Sequence, residues 1–386
     1  MADARSGARP SLRTVAAQWG RIGTIGFGGP PAHIALLREL CVDRRRWLDP
    51  HDFEDAIAAC NLLPGPASTQ LAIFSAWRVA GPAGAVVGGL AFILPGLVVI
   101  LALAALFLAA APPTWVLGAG AGAGAAVAAV AVRAGADLAG PSRARAQVPW
   151  RWWCYLVLGG AAAAVAGPGL VLVLLGCGLV EVAIVTLGNG RLGSQLWPAL
   201  VAVAPAATGG VLALVWVAFK VGALSYGGGF VIIPLMQADA VRHYHWMTDA
   251  QFLDAVALGQ ITPGPVVQTV AVVGYAAAGV AGGLLAAAVA FAPSFTFVLL
   301  GASRFDRLRR DARARAFLNG AGPAAIGAIL GVAIPLARAL GAWWQLAVLA
   351  AAAVALFPLR RSVVVTLVAA GIAGAIAVAV FGASLP

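Results

Sequence analysis

"NLLPGPAST" at residues 61–69 and "QITPGPVVQ" at 260–268 share a Pro-Gly-Pro core, and each interrupts a long apolar run. Proline removes a backbone donor and clashes with the preceding turn, while glycine loosens the chain. Each triplet therefore predicts a broken helix. The two breaks lie 199 residues apart.

Composition sets the class in which such breaks must be read. The 386 residues are 62% hydrophobic and 10% charged, with a mean hydropathy of +0.94. A soluble domain carries roughly 25% charged residues. Charge-free runs such as 83–111 and 362–382 exceed the roughly 20 residues that a spanning helix needs. The chain reads as an all-α polytopic membrane protein whose bulk partner is the lipid bilayer. The net charge is +11, but the basic residues cluster between apolar runs, as cytoplasmic loops do, which argues against nucleic acid as a partner.

The basic start "MADARSGARPSLR" precedes no compact apolar region with a small-residue cleavage site, so no cleaved signal peptide is expected. Cys41, Cys60, Cys154 and Cys177 are scattered without a CxxC pair, which supports neither a zinc site nor a disulfide framework. HExxH, GxSxG and GxxxxGK[ST] are all missing from the sequence. The expectation is a protein that is not an enzyme, holds no metal or cofactor, and works on an ion gradient or a partner.

Sliding the sequence by 199 positions aligns residues 21–84 with 220–283 without a gap, and sixteen of the 64 pairs are identical. They include Gly23/Gly222, Gly28/Gly227, Gly29/Gly228, Trp47/Trp246, Phe53/Phe252, Asp55/Asp254 and the Pro-Gly-Pro positions. Apolar composition alone does not align Trp, Asp, a glycine pair and a Pro-Gly-Pro in one register. The chain divides into homologous halves, 1–195 and 213–386, joined by an apolar link at 196–212 that is long enough to cross. Each half reads as two interrupted segments followed by four more regular ones.

Loop charge sets their orientation. Residues 112–114 carry no charge, whereas the equivalent loop of the second half carries Arg304, Arg307, Arg309, Arg310, Arg313 and Arg315. Equivalent loops thus fall on opposite sides, which predicts an inverted repeat. Arg44–Arg46 would lie outside if the first segment crossed fully, so the first two segments read as re-entrant. Inverted repeats with matching broken helices mark secondary transporters, whose substrate lies near the midplane between the repeats.

A helix that starts inside the membrane exposes unpaired amides and the positive end of its dipole, which attracts anions. Around the first break lie Asn61, Pro64, Gly65, Pro66, Ser68, Thr69 and Gln70; around the second lie Gln260, Thr262, Pro263, Gly264, Pro265, Gln268 and Thr269. Thr69-Gln70 and Gln268-Thr269 are the same residue types in swapped order. Neutral amides and hydroxyls suit an oxyanion, which accepts hydrogen bonds from all sides. A single Pro-Gly-Pro is adequately explained as a packing kink; two in register, each bracketed by polar side chains, favour a site.

Gly28, Gly29, Gly227 and Gly228 offer either close helix packing or backbone N–H groups for an anion. Arg21 aligns with Lys220, the one lysine in the chain, and a cation pair beside the site favours a negative substrate. Asp55 and Asp254 read first as N-terminal helix caps and second as proton carriers for coupling. Glu181, unmatched in the other half, is a speculative coupling residue. His33, lacking an evident partner, reads as structural.

In combination and order, "GFGGPPAHIALL" (26–37), "NLLPGPAST" (61–69), "SYGGGFVIIPLM" (225–236) and "ITPGPV" (261–266) resemble the motifs of the chromate ion transporter family. The likeness covers nearly the whole chain. It implies a long-chain member made of two fused domains of opposite topology, exporting chromate across the cytoplasmic membrane of a bacterium and conferring chromate resistance. Sulfate, a tetrahedral dianion of similar size, is the implied competitor. The first half's "GFGGP" departs from the second half's "SYGGG", so the half-sites need not contribute equally. Transport of another oxyanion, or import, is the alternative; coupling ion and a homodimeric state stay open.

Overall fold

The computed structural model describes residues 10–60, 65–166, 169–188, 209–225, 231–301 and 311–384. Asn61, Pro64, Gly227 and Gly228 lie outside that set, as does the 196–208 part of the expected link. Residues 210–212 of that link are the start of a helix rather than a connection. Among the described residues all regular structure is helical.

α1 (Leu12–Ile25) starts at a Ser11 cap, whose Oγ accepts from the Thr14 N–H, and stops at Gly26. Fourteen residues reach about 21 Å, too short to cross. α2 (Pro30–Arg38) follows and continues through a π turn, Glu39–Arg44. Trp47, beyond that turn, stacks on Trp19 with ring centroids 6.2 Å apart. The chain has therefore doubled back, forming a re-entrant hairpin with "GFGG" at its tip.

The Pro-Gly-Pro segment does the same. α3 (Pro50–Cys60) leads to the tip, and α4 (Ala67–Phe107) leaves it. Asp52 and Arg78 pair at 2.6 Å across the open end of this second hairpin. α4 is itself folded: Ala80 and Gly81 leave helical geometry, with Gly81 at φ 68°. A Cβ on Gly88 would stand 2.5 Å from that of Ala76, so residues 67–79 and 82–107 lie side by side as antiparallel arms. The second arm, at about 39 Å, is the one long enough to cross.

The second half repeats the design with α8 (Gly210–Leu224), α9 (Ile232–Gln237), a π turn (Ala238–His243), α10 (Asp249–Ile261), a 3₁₀ turn (Val266–Gln268) and α11 (Thr269–Gly301). Lys220 pairs with Asp239 across its first hairpin, and Thr269 packs on Gly259 across its second. α11 breaks at Ala278 and Gly279. Gly279 is 198 positions beyond Gly81, and Pro293 is 198 beyond Pro95, both one less than the spacing of the tips. The register thus slips by one residue after each Pro-Gly-Pro. Gln70 is the counterpart of Gln268, and each folds back over the glycine of its own tip. The apparent swap of Thr and Gln is this slip.

The crossing arms meet at the centre. Gly89 packs on Phe295 and Gly283 on Leu101, so the 82–107 arm and the 280–301 arm run antiparallel. The remaining helices interleave. α5 (Thr114–Ala144) packs against α14 (Trp343–Leu356) and α15 (Val363–Ala379), with Gly118 on Gly374 and Gly122 on Ala370. α12 (Ala312–Gly331), extended by α13 (Ala333–Arg338), packs against α6 (Pro149–Ala161, with a π turn at Ala162–Ala166) and α7 (Leu170–Gly188). Glycine lets these backbones touch, which compensates for the weak hydrophobic drive between helices in lipid. Each half places one long helix inside the closing pair of the other.

Asp55 and Asp254 do not cap their helices, contrary to the expectation from the sequence. Thr248 caps α10, exchanging bonds of 3.2 and 2.9 Å with Gln251, and the Asp49 carboxylate accepts from the His51 N–H at 2.8 Å ahead of α3. Asp55 and Asp254 lie in the second turn of their helices, past the orphan amides that a cap serves.

Candidate functional site

The tips of the hairpins converge between the halves. Gly264 of the second Pro-Gly-Pro donates its N–H to the Gly26 carbonyl at 3.0 Å. The same carbonyl lies 2.9 Å from Nε2 of His33. A carbonyl only accepts, so Nε2 carries the proton and Nδ1 faces the Ser68 hydroxyl at 3.2 Å. His33 is fully buried and edge-on to Phe92, 5.0 Å away. It joins the "GFGG" tip to the helix start after the first Pro-Gly-Pro. Nothing in the spacing of His33 to Ser68 could have announced this, because the contact spans 35 residues.

Each Pro-Gly-Pro also leans on the opposite half. A Cβ on Gly65 would stand 2.6 Å from Gln70 Nε2, 3.2 Å from Ser294 Oγ and 3.5 Å from the Gly222 carbonyl. Gln268 donates through Nε2 to the Ile93 carbonyl at 2.7 Å, and its Oε1 faces Gly96. Gly65 (φ 121°) and Gly264 (φ 95°) hold backbone conformations that side chains disfavour, as do Gly28 (φ 98°) and Gly29 (φ 73°). Pro66 and Pro265 start the next helical turns, and neither start has a side-chain cap. The first-turn amides of α4 and of the 3₁₀ turn are thereby left for another acceptor.

Around these tips the side-chain hydroxyls of Thr69, Ser225 and Ser294, and the Nε2 of Gln260, are buried donors without a partner among the described residues. Gln268 Oε1 is a buried acceptor in the same condition. An unsatisfied buried polar group costs about 1–3 kcal/mol, which makes this cluster the candidate site among the described residues. Thr262 and Thr269 differ, since their hydroxyls donate at 2.8 Å to the carbonyls of Leu258 and Val266. Ser225 was not singled out in the sequence; the one signal was a serine at the end of an apolar helix.

The charged candidates separate. Arg21, on the exposed face of α1, borders a narrow cleft with Gln18, Leu36, Glu39 and Arg44, below the "GFGG" tip. Lys220 is not the free cation its alignment with Arg21 suggested: buried Asp239 neutralises it. Asp239 aligns with Leu40, so the repeat does not mark it; its one sequence signal is an acid inside an apolar segment. Asp55 lies 3.5 Å from His51 on a half-exposed surface. Glu181 is buried beside Arg151 (3.4 Å) and Tyr155 (3.1 Å), within the α6–α7 pair. Asp254 faces a cavity near one end of the bundle.

Two pairs of hairpins, with uncapped helix starts and donors unpartnered among the described residues, meet where the two segments of the chain join, an arrangement of the kind that membrane transporters use. The chain belongs to the chromate transporter family, whose profile matches residues 13–182 and 212–375. It is 33% identical over 340 residues to the chromate transport protein of Cupriavidus metallidurans, covering 85% of this chain and 83% of that one. It is 31% identical over 373 residues to the chromate transport protein of Pseudomonas aeruginosa, covering 92% and 89%. A probable chromate transport protein of Synechococcus elongatus is 30% identical, with 85% of each chain covered. No solved structure matches the chain. Family and long apolar helices together make it a multi-pass protein of the cytoplasmic membrane.

Proposed function

We propose that the protein exports chromate, with sulfate as competitor, through an inverted repeat whose shared site is the joint of the four hairpin tips. The observation that carries this reading is the set of unpartnered donors on Thr69, Ser225, Ser294 and Gln260 beside two uncapped helix starts. A tetrahedral dianion offers four oxygens, each able to accept several hydrogen bonds. Neutral donors suit a carrier better than a fixed cation cluster, because binding must also allow release.

The antiparallel contact of the equivalent arms, Gly89 on Phe295 and Leu101 on Gly283, supports the inversion. Charge supports the orientation. Arg44, Arg45, Arg46, Arg78, Arg143, Arg145, Arg151, Arg313, Arg315, Arg360 and Arg361 stand at helix ends on the side where α1 begins. The opposite end of the bundle carries Arg242 and Arg338. The positive-inside rule makes the α1 side cytoplasmic. The cleft beside Arg21 then opens to the cytoplasm, where a cation attracts outgoing anions.

The membrane potential favours this direction. Moving a dianion out of a cell that is negative inside releases about 4.6 kcal/mol per 100 mV. Export therefore needs no nucleotide, and lower internal chromate gives resistance.

Inside-out vesicles test the proposal. Labelled chromate should accumulate when the interior is made positive, and excess sulfate should reduce the uptake. Potential-independent accumulation, or none above empty vesicles, would refute it. Molybdate and phosphate as further competitors identify another preferred oxyanion.

A further inference from the structure

Asp254 and Asp55 occupy equivalent positions, yet the fold treats them differently. Asp55 lies beside His51 on the surface. Asp254 lines a cavity of about 290 Å³, its carboxylate held against α5. A Cβ on Gly120 would stand 2.6 Å from Oδ1, and one on Gly124 3.6 Å away. Glycine at both places leaves room for the carboxylate and for water.

The cavity wall contains no second titratable or charged residue among those described. The side-chain oxygens of its two glutamines are already committed. Gln251 Oε1 accepts from the Thr248 N–H, Gln345 Oε1 accepts from the N–H groups of Gly341 and Ala342, and Gln345 Nε2 donates to the Ala121 carbonyl. The nearest charges in sequence are also accounted for: Asp249 accepts from Gln237 at 3.1 Å, and Arg338 is exposed outside the wall. Among the described residues Asp254 thus has no hydrogen-bond or ion-pair partner and no neighbouring set of free oxygens. A hard metal cation takes about six oxygen ligands, which this wall does not supply. A proton needs one carboxylate and water.

Position adds direction. Pro112, on the loop between α4 and α5, borders the cavity, at the end of the bundle opposite the arginine-rich side. α10 then runs from Asp254 to Gln260, six residues on, and the second Pro-Gly-Pro follows nine to eleven residues from Asp254. One helix links the cavity to the tip.

We infer that Asp254 is a proton-binding site on the outer side, which couples inward proton movement to outward anion movement. The proton comes from external water, rests on the carboxylate and leaves to internal water; no bond in the anion changes. One proton in for one dianion out moves three positive charges inward, so potential and pH gradient act together. This rests on the transport reading above.

The test uses the full chain in proteoliposomes with an internal pH dye, the potential clamped by potassium and valinomycin. An imposed chromate gradient should drive protons in the opposite sense in the wild type. Asp254→Asn should lower the ratio of protons to chromate moved by about tenfold or more, and Asp254→Glu should restore it. An unchanged ratio in Asp254→Asn, or wild-type chromate flux without protons, overturns the inference. Should Asp254→Asn fail to assemble, Gly120→Ala crowds the same carboxylate and should shift the pH profile of flux by about half a unit or more; an unshifted profile overturns the inference. A wild type that moves no chromate overturns the transport reading itself.

Discussion

Gly264 donates its backbone N–H to the carbonyl of Gly26, 3.0 Å away, and thereby ties a Pro-Gly-Pro tip of one half to the glycine tip of the other. These residues are 238 positions apart. The bond makes the two breaks parts of one joint, and the predictions follow from how that joint is built.

The unpartnered donors should show opposite effects on stability and affinity. Ser294→Ala, Ser225→Ala and Thr69→Val each remove a buried hydroxyl that no described residue satisfies. Thermal stability in detergent should hold or rise by about 1 kcal/mol, because a desolvated group is lost. Chromate affinity should fall about tenfold or more, since hydrogen bonds to charged groups contribute about 1.5–3 kcal/mol. Uptake kinetics at varied chromate separate the two readouts.

His33 should resist substitution for a different reason. His33→Ala strips a bond from the Gly26 carbonyl and leaves Ser68 facing a void. A loss of about 2–4 kcal/mol is expected from the combined cavity and hydrogen-bond terms. Flux should fall even at saturating chromate, because the tips lose their common anchor. Melting curves and maximal uptake rates give the comparison.

Lys220 and Asp239 should behave as a unit. Lys220→Met strands a buried carboxylate and should cost about 3–5 kcal/mol. Lys220→Met combined with Asp239→Leu removes both charges and should regain most of that stability, together with transport. Single and double variants compared in a thermodynamic cycle show whether Lys220 serves Asp239 alone or the anion as well.

Glycines that look alike in the sequence should separate cleanly. Gly96→Ala puts a methyl onto the Pro263 carbonyl and Gln268, which should cost about 1–3 kcal/mol by overpacking and abolish uptake. Gly81→Ala meets no atom but forces a side chain onto φ 68°, at about 1–2 kcal/mol. Gly140→Ala, in α5 with open space around it, should be neutral or up to about 1 kcal/mol stabilising. Thermal melts of the three variants rank these costs.

Much of the architecture was legible beforehand, and for definite physical reasons. Hydropathy alone set the membrane class, because lipid tolerates few charges along a spanning helix. The 199-residue register exposed the repeat, since Trp47/Trp246 and the Pro-Gly-Pro pairs are too particular for chance. Proline and glycine chemistry placed the breaks. The conflict of Arg44–Arg46 with a full crossing pointed to hairpins, and Trp47 lying on Trp19 shows that the chain turns back there.

Side-chain partners were another matter. Asp55 and Asp254 align, but one faces a surface histidine and the other a cavity, because α5 packs over α10, whereas among the described residues α3 packs chiefly on α4. Lys220 looked like a free cation until folding brought Asp239 beside it. His33 looked idle until the tips converged. Local chemistry, written along the chain, determined where helices form, break and turn. Which polar groups remain unpaired depends on contacts between residues as distant in sequence as Gly26 and Gly264, and only the tertiary structure decided those.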